Sequence, residues 1–194
     1  MIQKLTTAFV LFFTFCFTAS AQLKSSITSI RPQLEEVIKE FPNHFSGIRG
    51  AVTDDQQTEF ESKVFIKDAL ETKLIAFSNQ KIKSWVWECR LFETDDLDKL
   101  KHQYKSYYND IAGKSLPGKP TLYSLEPITD YTNPNGALRL CSNQFRMSSA
   151  SDLYKHLVVD LVAEYINFQW TVYLRVFDKE KDEEIRPTEK NIQN

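Results

Sequence analysis

The sequence predicts an α+β fold: an antiparallel β-sheet packed on one face by two α-helices, in the order α-β-β-β-α-β-β-β. Three observations predict it. From Ile166 to Val176 apolar and polar residues alternate without a break. Ile166, Phe168, Trp170, Val172, Leu174 and Val176 fall on one side, and Asn167, Gln169, Thr171, Tyr173 and Arg175 on the other. That is the period of a strand with one buried face. Two other segments, near 27–41 and 95–112, repeat their apolar residues at steps of three and four, the period of amphipathic helices. Finally, Trp85-x-x-x-x-Arg90-x-Phe92-Glu93 is echoed by Trp170-x-x-x-x-Arg175-x-Phe177-Asp178. The echo suggests two similar hairpins.

The first helix carries Ile27, Ile30, Leu34, Val37, Ile38 and Phe41. Ser29 is placed to cap it, Pro32 falls in its first turn, and Pro42 stops it. A loop from Asn43 to Gly50 follows, punctuated by Gly47 and Gly50. Phe60, Val64 and Ile66 suggest a first strand, and Lys73 to Phe77 a second. The sequence Ser78-Asn79-Gln80-Lys81 reads as a hairpin turn. The third strand sets Trp85, Trp87, Cys89 and Leu91 against Ser84, Glu88 and Arg90.

Thr94 and Asp95 open the second helix, with Leu97, Leu100, Tyr104, Tyr107 and Ile111 on its apolar stripe. Asp95, Asp96 and Asp98 crowd the first turn, where the helix dipole favours negative charge. Gly113 suits the left-handed stop. Five prolines and glycines between 114 and 134 keep the next stretch irregular. Within it Thr121 to Leu125 suits a short edge strand, and Ala137 to Phe145 a further strand carrying Cys141.

The span Leu157 to Phe177 is too long for one strand. At about 3.3 Å per residue it would approach 70 Å, against about 40 Å for a domain of this size. Leu153, Leu157, Leu161 and Tyr165 allow a helix in its first part. The internal echo favours instead a hairpin that turns near Tyr165.

The chain opens like a secretory signal. Lys4 precedes a short apolar run, Ala8 to Phe17, and Ala19-Ser20-Ala21 suits cleavage after Ala21. Phe15 before Cys16 departs from a lipoprotein site. The organisation expected is therefore a signal over 1–21, one α+β domain over 22–178, and a charged, disordered tail over 179–194. The mature chain would be periplasmic or extracellular, with no membrane span. The full sequence has a formal charge of -2, slightly more negative once Lys4 is removed, and that balance argues against nucleic acid, whose nonspecific binding is driven by phosphate neutralisation. Once Cys16 is removed, Cys89 and Cys141 remain. In an exported chain that pair suggests a disulfide.

Reactive motifs are absent from the sequence. His44, His102 and His156 have no metal-site spacing, and no C-x-x-C, G-x-S-x-G, phosphate-loop or dinucleotide signature occurs. No metal or cofactor is implied. His44 and Arg49, in the glycine-punctuated loop, are the binding candidates that position suggests.

The Ala21-Gln22 junction, Phe45-x-x-Ile48-Arg49-Gly50, Trp85 to Phe92 leading into Asp95 to Tyr108, and Trp170 to Asp178 resemble small exported proteins of Bacteroidetes-type bacteria with no characterised activity. The resemblance implies a secreted α+β domain and carries over no catalytic residue. The element order is also similar to the small chaperones of type III secretion. The function expected is a non-enzymatic interaction module for a protein partner or a second copy. The alternatives are a periplasmic carrier of a small apolar ligand held between sheet and helices, and a hydrolase that uses His44.

Overall fold

A computed structural model describes residues 29–78, 83–112, 124–148 and 152–179. The expected signal at 1–21, most of the expected turn at 78–81, Gly113, the start of the expected edge strand at 121–123 and the residues beyond Lys179 lie outside the described residues.

The chain is α+β, and its described residues form an eight-stranded antiparallel sheet and two helices. Helix α1 spans Arg31–Glu40 and is followed by β1 (Arg49–Val52), β2 (Glu59–Ser62), β3 (Glu71–Ser78) and β4 (Lys83–Thr94). Helix α2 spans Leu97–Ala112 and is followed by β5 (Leu125–Pro127), β6 (Leu140–Met147), β7 (Leu157–Ile166) and β8 (Gln169–Asp178). The strand order is β1-β2-β3-β4-β8-β7-β6-β5. Each half of the chain is thus a helix followed by a four-stranded meander, and the halves join where their last strands pair. The echo between Trp85–Glu93 and Trp170–Asp178 falls on those two seam strands.

Two strands appear beyond the six expected. β1 is a four-residue edge piece, Arg-Gly-Ala-Val, too short to show a period. The other arises in the second half, where Leu157–Ile166 is not the helix its spacing allowed but a strand, in the hairpin that the internal echo favoured. Its first seven residues are all buried. A strand covered on both faces reads as a continuous apolar run, and such a run does not distinguish strand from helix. The hairpin turns at Asn167 and Phe168, both at positive φ, two residues beyond Tyr165. Phe168 is consequently 85% exposed and Ile166 46% exposed. Of the six residues expected on the buried face, Trp170, Val172, Leu174 and Val176 are buried there.

The sheet's first face carries Leu74, Trp87, Cys89, Phe145, Leu161, Val172, Leu174 and Val176. These form one cluster with Leu34, Val37 and Ile38 of α1 and Leu100, Tyr104, Tyr107 and Ile111 of α2. Tyr104 Oη donates to the Leu161 carbonyl at 2.6 Å and accepts from Asn143 Nδ2 at 2.8 Å. Asn143 also accepts from Thr132 N–H at 2.8 Å. These bonds satisfy the polar atoms that α2 and β6 bury, which would otherwise cost about 1–3 kcal/mol each.

The start of α1 meets expectation in part. Ile30 is the N-cap and makes no side-chain cap bond, while Ser29 Oγ accepts from Arg31 N–H at 3.4 Å. The shorter bonds come from the other helix. Asp110 accepts from Ile30 N–H at 2.7 Å and from Ser29 Oγ at 3.0 Å. A carboxylate at a helix N-terminus satisfies an orphan donor and suits the dipole. At α2, Asp96 accepts from Asp98 N–H at 2.9 Å and Lys99 N–H at 3.1 Å, so one of the three crowded acids does the capping.

The disulfide expected between Cys89 and Cys141 does not form. Both are free and buried. Cys89 on β4 stands opposite Leu174 on β8, which faces Leu161 on β7, which faces Asn143 on β6. Three inter-strand steps of about 4.8 Å separate β4 from β6, roughly 14 Å in all. A disulfide needs Cα atoms no more than about 7 Å apart.

Candidate functional site

The second face of the sheet holds a connected assembly of charged side chains. One cross-strand row runs Glu61, Lys73, Glu88, Arg175, Asp160, Gln144, each directly opposite the next. Its first five members alternate in formal sign. Arg175 Nε donates to Glu88 at 2.7 Å and Arg175 Nη1 to Glu164 at 2.9 Å. Burial works against the Arg175 charge, but the two carboxylates outweigh it and hold the guanidinium above its ordinary value. Lys73 behaves likewise: burial opposes its charge, and its 2.9 Å bond to Glu59 leaves it raised. Asp160 is 8% exposed. It accepts from Ser142 Oγ at 2.6 Å and Gln144 Nε2 at 3.2 Å. Burial pushes the Tyr173 phenol up, with Glu88 and Glu164 adding to the shift.

Beside the charged row lies an apolar one, Ile75, Val86, Phe177 and Val158 in register. The two rows meet in a groove of about 520 Å³. Glu88, Arg175, Asp160 and Gln144 make its polar floor, and Ile75, Phe77, Val86 and Phe177 its apolar wall. Phe77 is 51% exposed there. A concave surface with convergent polar groups and an apolar wall is the usual form of a binding site.

His44 and Arg49 are not part of this groove. His44 closes a short 3-10 turn at φ 51° and is exposed. It lines a pocket of about 130 Å³ with Phe41, Phe45, Trp85 and Asp178. Folding therefore brings an acid to the pocket of the histidine, but no Ser, Thr or Cys lines it. Arg49 lies on the edge strand β1. Its guanidinium stacks 4.0 Å from the Trp85 ring and 5.6 Å from the Phe60 ring. Stacking of this kind stabilises by about 0.5–2 kcal/mol, so Arg49 has a structural task in pinning the β1 edge.

The thiols sit on the first face. Burial pushes Cys89 up to about 11 and raises Cys141 as well. Trp85, Trp87 and Trp170 are at most 6% exposed, and all three belong to the cluster the helices share. Among the described residues no group of three His, Cys, Asp or Glu converges as a metal site, and no helix is long and apolar enough to cross a membrane.

Sequence reasoning placed Glu88, Arg90, Tyr173 and Arg175 on the faces opposite the tryptophans, without assembling them. The usable signal was the repeated arginine of the echo, at Arg90 and Arg175. Asp160 gave none, being one acid in a run of apolar residues. No family model matches the chain, and neither a curated protein nor a solved structure shows significant similarity to it.

Proposed function

We propose that this chain is an exported, non-enzymatic interaction module, and that the groove on the second face is its contact surface. Both described helices contribute to the cluster on the first face, whereas the groove on the second face is lined by strand residues alone. The observation that carries the reading is the groove itself. Its floor is a set of partnered charges, arranged to hold shape, and its wall exposes Phe77 beside Ile75, Val86 and Phe177. Charges that already have partners are poor acids and bases but good fixed recognition points. The signal-like start, with cleavage after Ala21, and the resemblance to small exported proteins support a periplasmic or extracellular setting.

A photoreactive residue tests the contact surface directly. Placed at Phe77, it is expected to give a discrete crosslinked species in intact cells, either a heteromeric adduct or a dimer. Placed at Phe65, which is 66% exposed and does not line the groove, it is expected to give none. The same pattern at both positions, or none at Phe77, removes the support for the groove.

A second reading has one specific observation behind it. His44 and Asp178 share a pocket, which suits a histidine base acting on water. Loss of hydrolytic activity on a broad ester panel in His44→Ala would favour it. The apolar carrier has less to support it, since all three tryptophans are at most 6% exposed within the packed cluster.

A further inference from the structure

Beyond Arg175 the second face changes character. We propose that the concavity formed by Arg146, Lys155, His156 and Lys179 binds a multiply charged oxyanion of the phosphate class. Arg146 lies on β6, Lys155 and His156 on the approach to β7, and Lys179 just past β8. Lys179 N–H donates to the His156 carbonyl at 2.9 Å, which fixes two of these segments to each other. The four side chains line a concavity of about 320 Å³ with Ile128, Leu157 and Val158.

Among the described residues no Asp or Glu lines this concavity, in a chain whose formal charge is -2. Arg146, Lys155 and Lys179 are exposed, and none makes an ion pair with a described residue. Two acids neighbour the lining by register: Glu126, opposite Arg146 on β5, and Asp178, opposite Leu157 and next to Lys179. Neither is part of the lining. Gathering Arg146, Lys155 and Lys179 with no described acid in the lining raises the local potential and draws anions. A single carboxylate would leave most of that charge uncompensated, whereas a phosphate or pyrophosphate matches it. The Arg fork recognises such an oxyanion in two-pronged fashion, and the lysines act as point charges. The Ile128, Leu157 and Val158 side would accept whatever carbon skeleton the oxyanion carries. This site does not depend on the groove having a macromolecular partner.

Calorimetry on the full chain with inorganic pyrophosphate is the test, with acetate as the monovalent comparison. Saturable binding of pyrophosphate but not acetate is expected, weakening as salt is raised. Arg146→Gln with Lys179→Gln should weaken it by about tenfold or more. Glu126→Gln should strengthen it. Lys99→Gln with Lys101→Gln on α2 should leave it unchanged. Should the paired variant fail to fold, the single Lys155→Gln carries the same expectation. Unaltered affinity in the basic-site variants, or no saturable binding by the parent, overturns the proposal. A vesicle arm identifies the source. Sedimentation with phosphatidic-acid vesicles that pyrophosphate reverses assigns the site to a lipid headgroup. Binding in solution without sedimentation assigns it to a soluble phosphate compound.

Discussion

Arg175 on β8 and Glu88 on β4 stand directly opposite each other, joined by a 2.7 Å bond across the seam of the two halves. The side chains are 27% and 14% exposed, and Glu164 at 21% completes the set from β7. Two carboxylates thus share this guanidinium, and Glu88 also has Lys73 opposite it. Arg175→Met would leave Glu164 without its ion-pair partner and Glu88 without its closest one. For a fully buried set such a loss costs about 3–5 kcal/mol. Partial exposure reduces this, and a loss of about 2 kcal/mol is expected. It should show as a lower urea midpoint with an unchanged slope. Adding Glu88→Leu should recover part of the loss, because one stranded charge is then gone. A single variant as stable as the parent would mean that water already satisfies the carboxylates.

The two cysteines lead to a chemical prediction. Cys89 is fully buried, with burial pushing its thiol up to about 11. At pH 8 only about one molecule in a thousand would carry the thiolate, the reactive form. Cys141 is 5% exposed and shifted the same way. Iodoacetamide at pH 8 without reductant should therefore leave both cysteines unmodified in the folded protein, and should alkylate both in urea. Peptide mass spectrometry reads the two sites separately. A peptide pair linked through Cys89 and Cys141 would contradict the strand order, since β8 and β7 lie between them.

Asp96 supplies a pH dependence. The Lys99 N–H bond is the chief cause holding its carboxyl below the ordinary 3.8, with the Asp98 N–H adding to it and burial opposing. A carboxyl lowered in the folded state adds stability that is present above its unfolded value and lost as pH falls through the folded one. Asp96→Asn keeps the cap geometry and removes the charge. The melting temperature of the parent should exceed that of the variant at neutral pH. The gap should close as pH falls from about 3.8 through the lowered folded value. A gap that persists unchanged through that range would assign the effect to geometry alone.

The parts legible in the sequence are those with one buried face. β4 and α2 each show a single period because one side meets the core and the other meets water. β7 was legible only through the echo and not through any period, since Val158, Asp160 and Val162 on the second face are buried along with Val159 and Leu161 on the first. β1 holds four residues, too few for any period. The groove was hidden for a different reason. Glu88, Arg175, Asp160 and Gln144 come from β4, β8, β7 and β6, and only the strand order makes them neighbours. The Asp110 cap was equally invisible, being 80 residues from the N–H it holds.

The β7–β8 hairpin closes with the two residues Asn167 and Phe168 at φ 51° and 64°, between the paired Ile166 and Gln169. A two-residue loop with positive φ at both positions matches the twist of the strands, and it favours Asn followed by Gly. Asn167 fits. Phe168 does not, because a side chain in the left-handed region costs about 1–2 kcal/mol. Nor does burial offset the cost, with Phe168 85% exposed. Phe168→Gly is accordingly expected to stabilise the protein, by about 1 kcal/mol once the greater freedom of glycine in the unfolded chain is subtracted. Phe168→Ala keeps a Cβ at the same φ and should gain nothing. Equilibrium urea unfolding of the two variants separates the explanations. A gain in both would trace the effect to removing an exposed aromatic ring. A gain in glycine alone would trace it to the backbone, and would show that this hairpin carries a strain its sequence could have avoided.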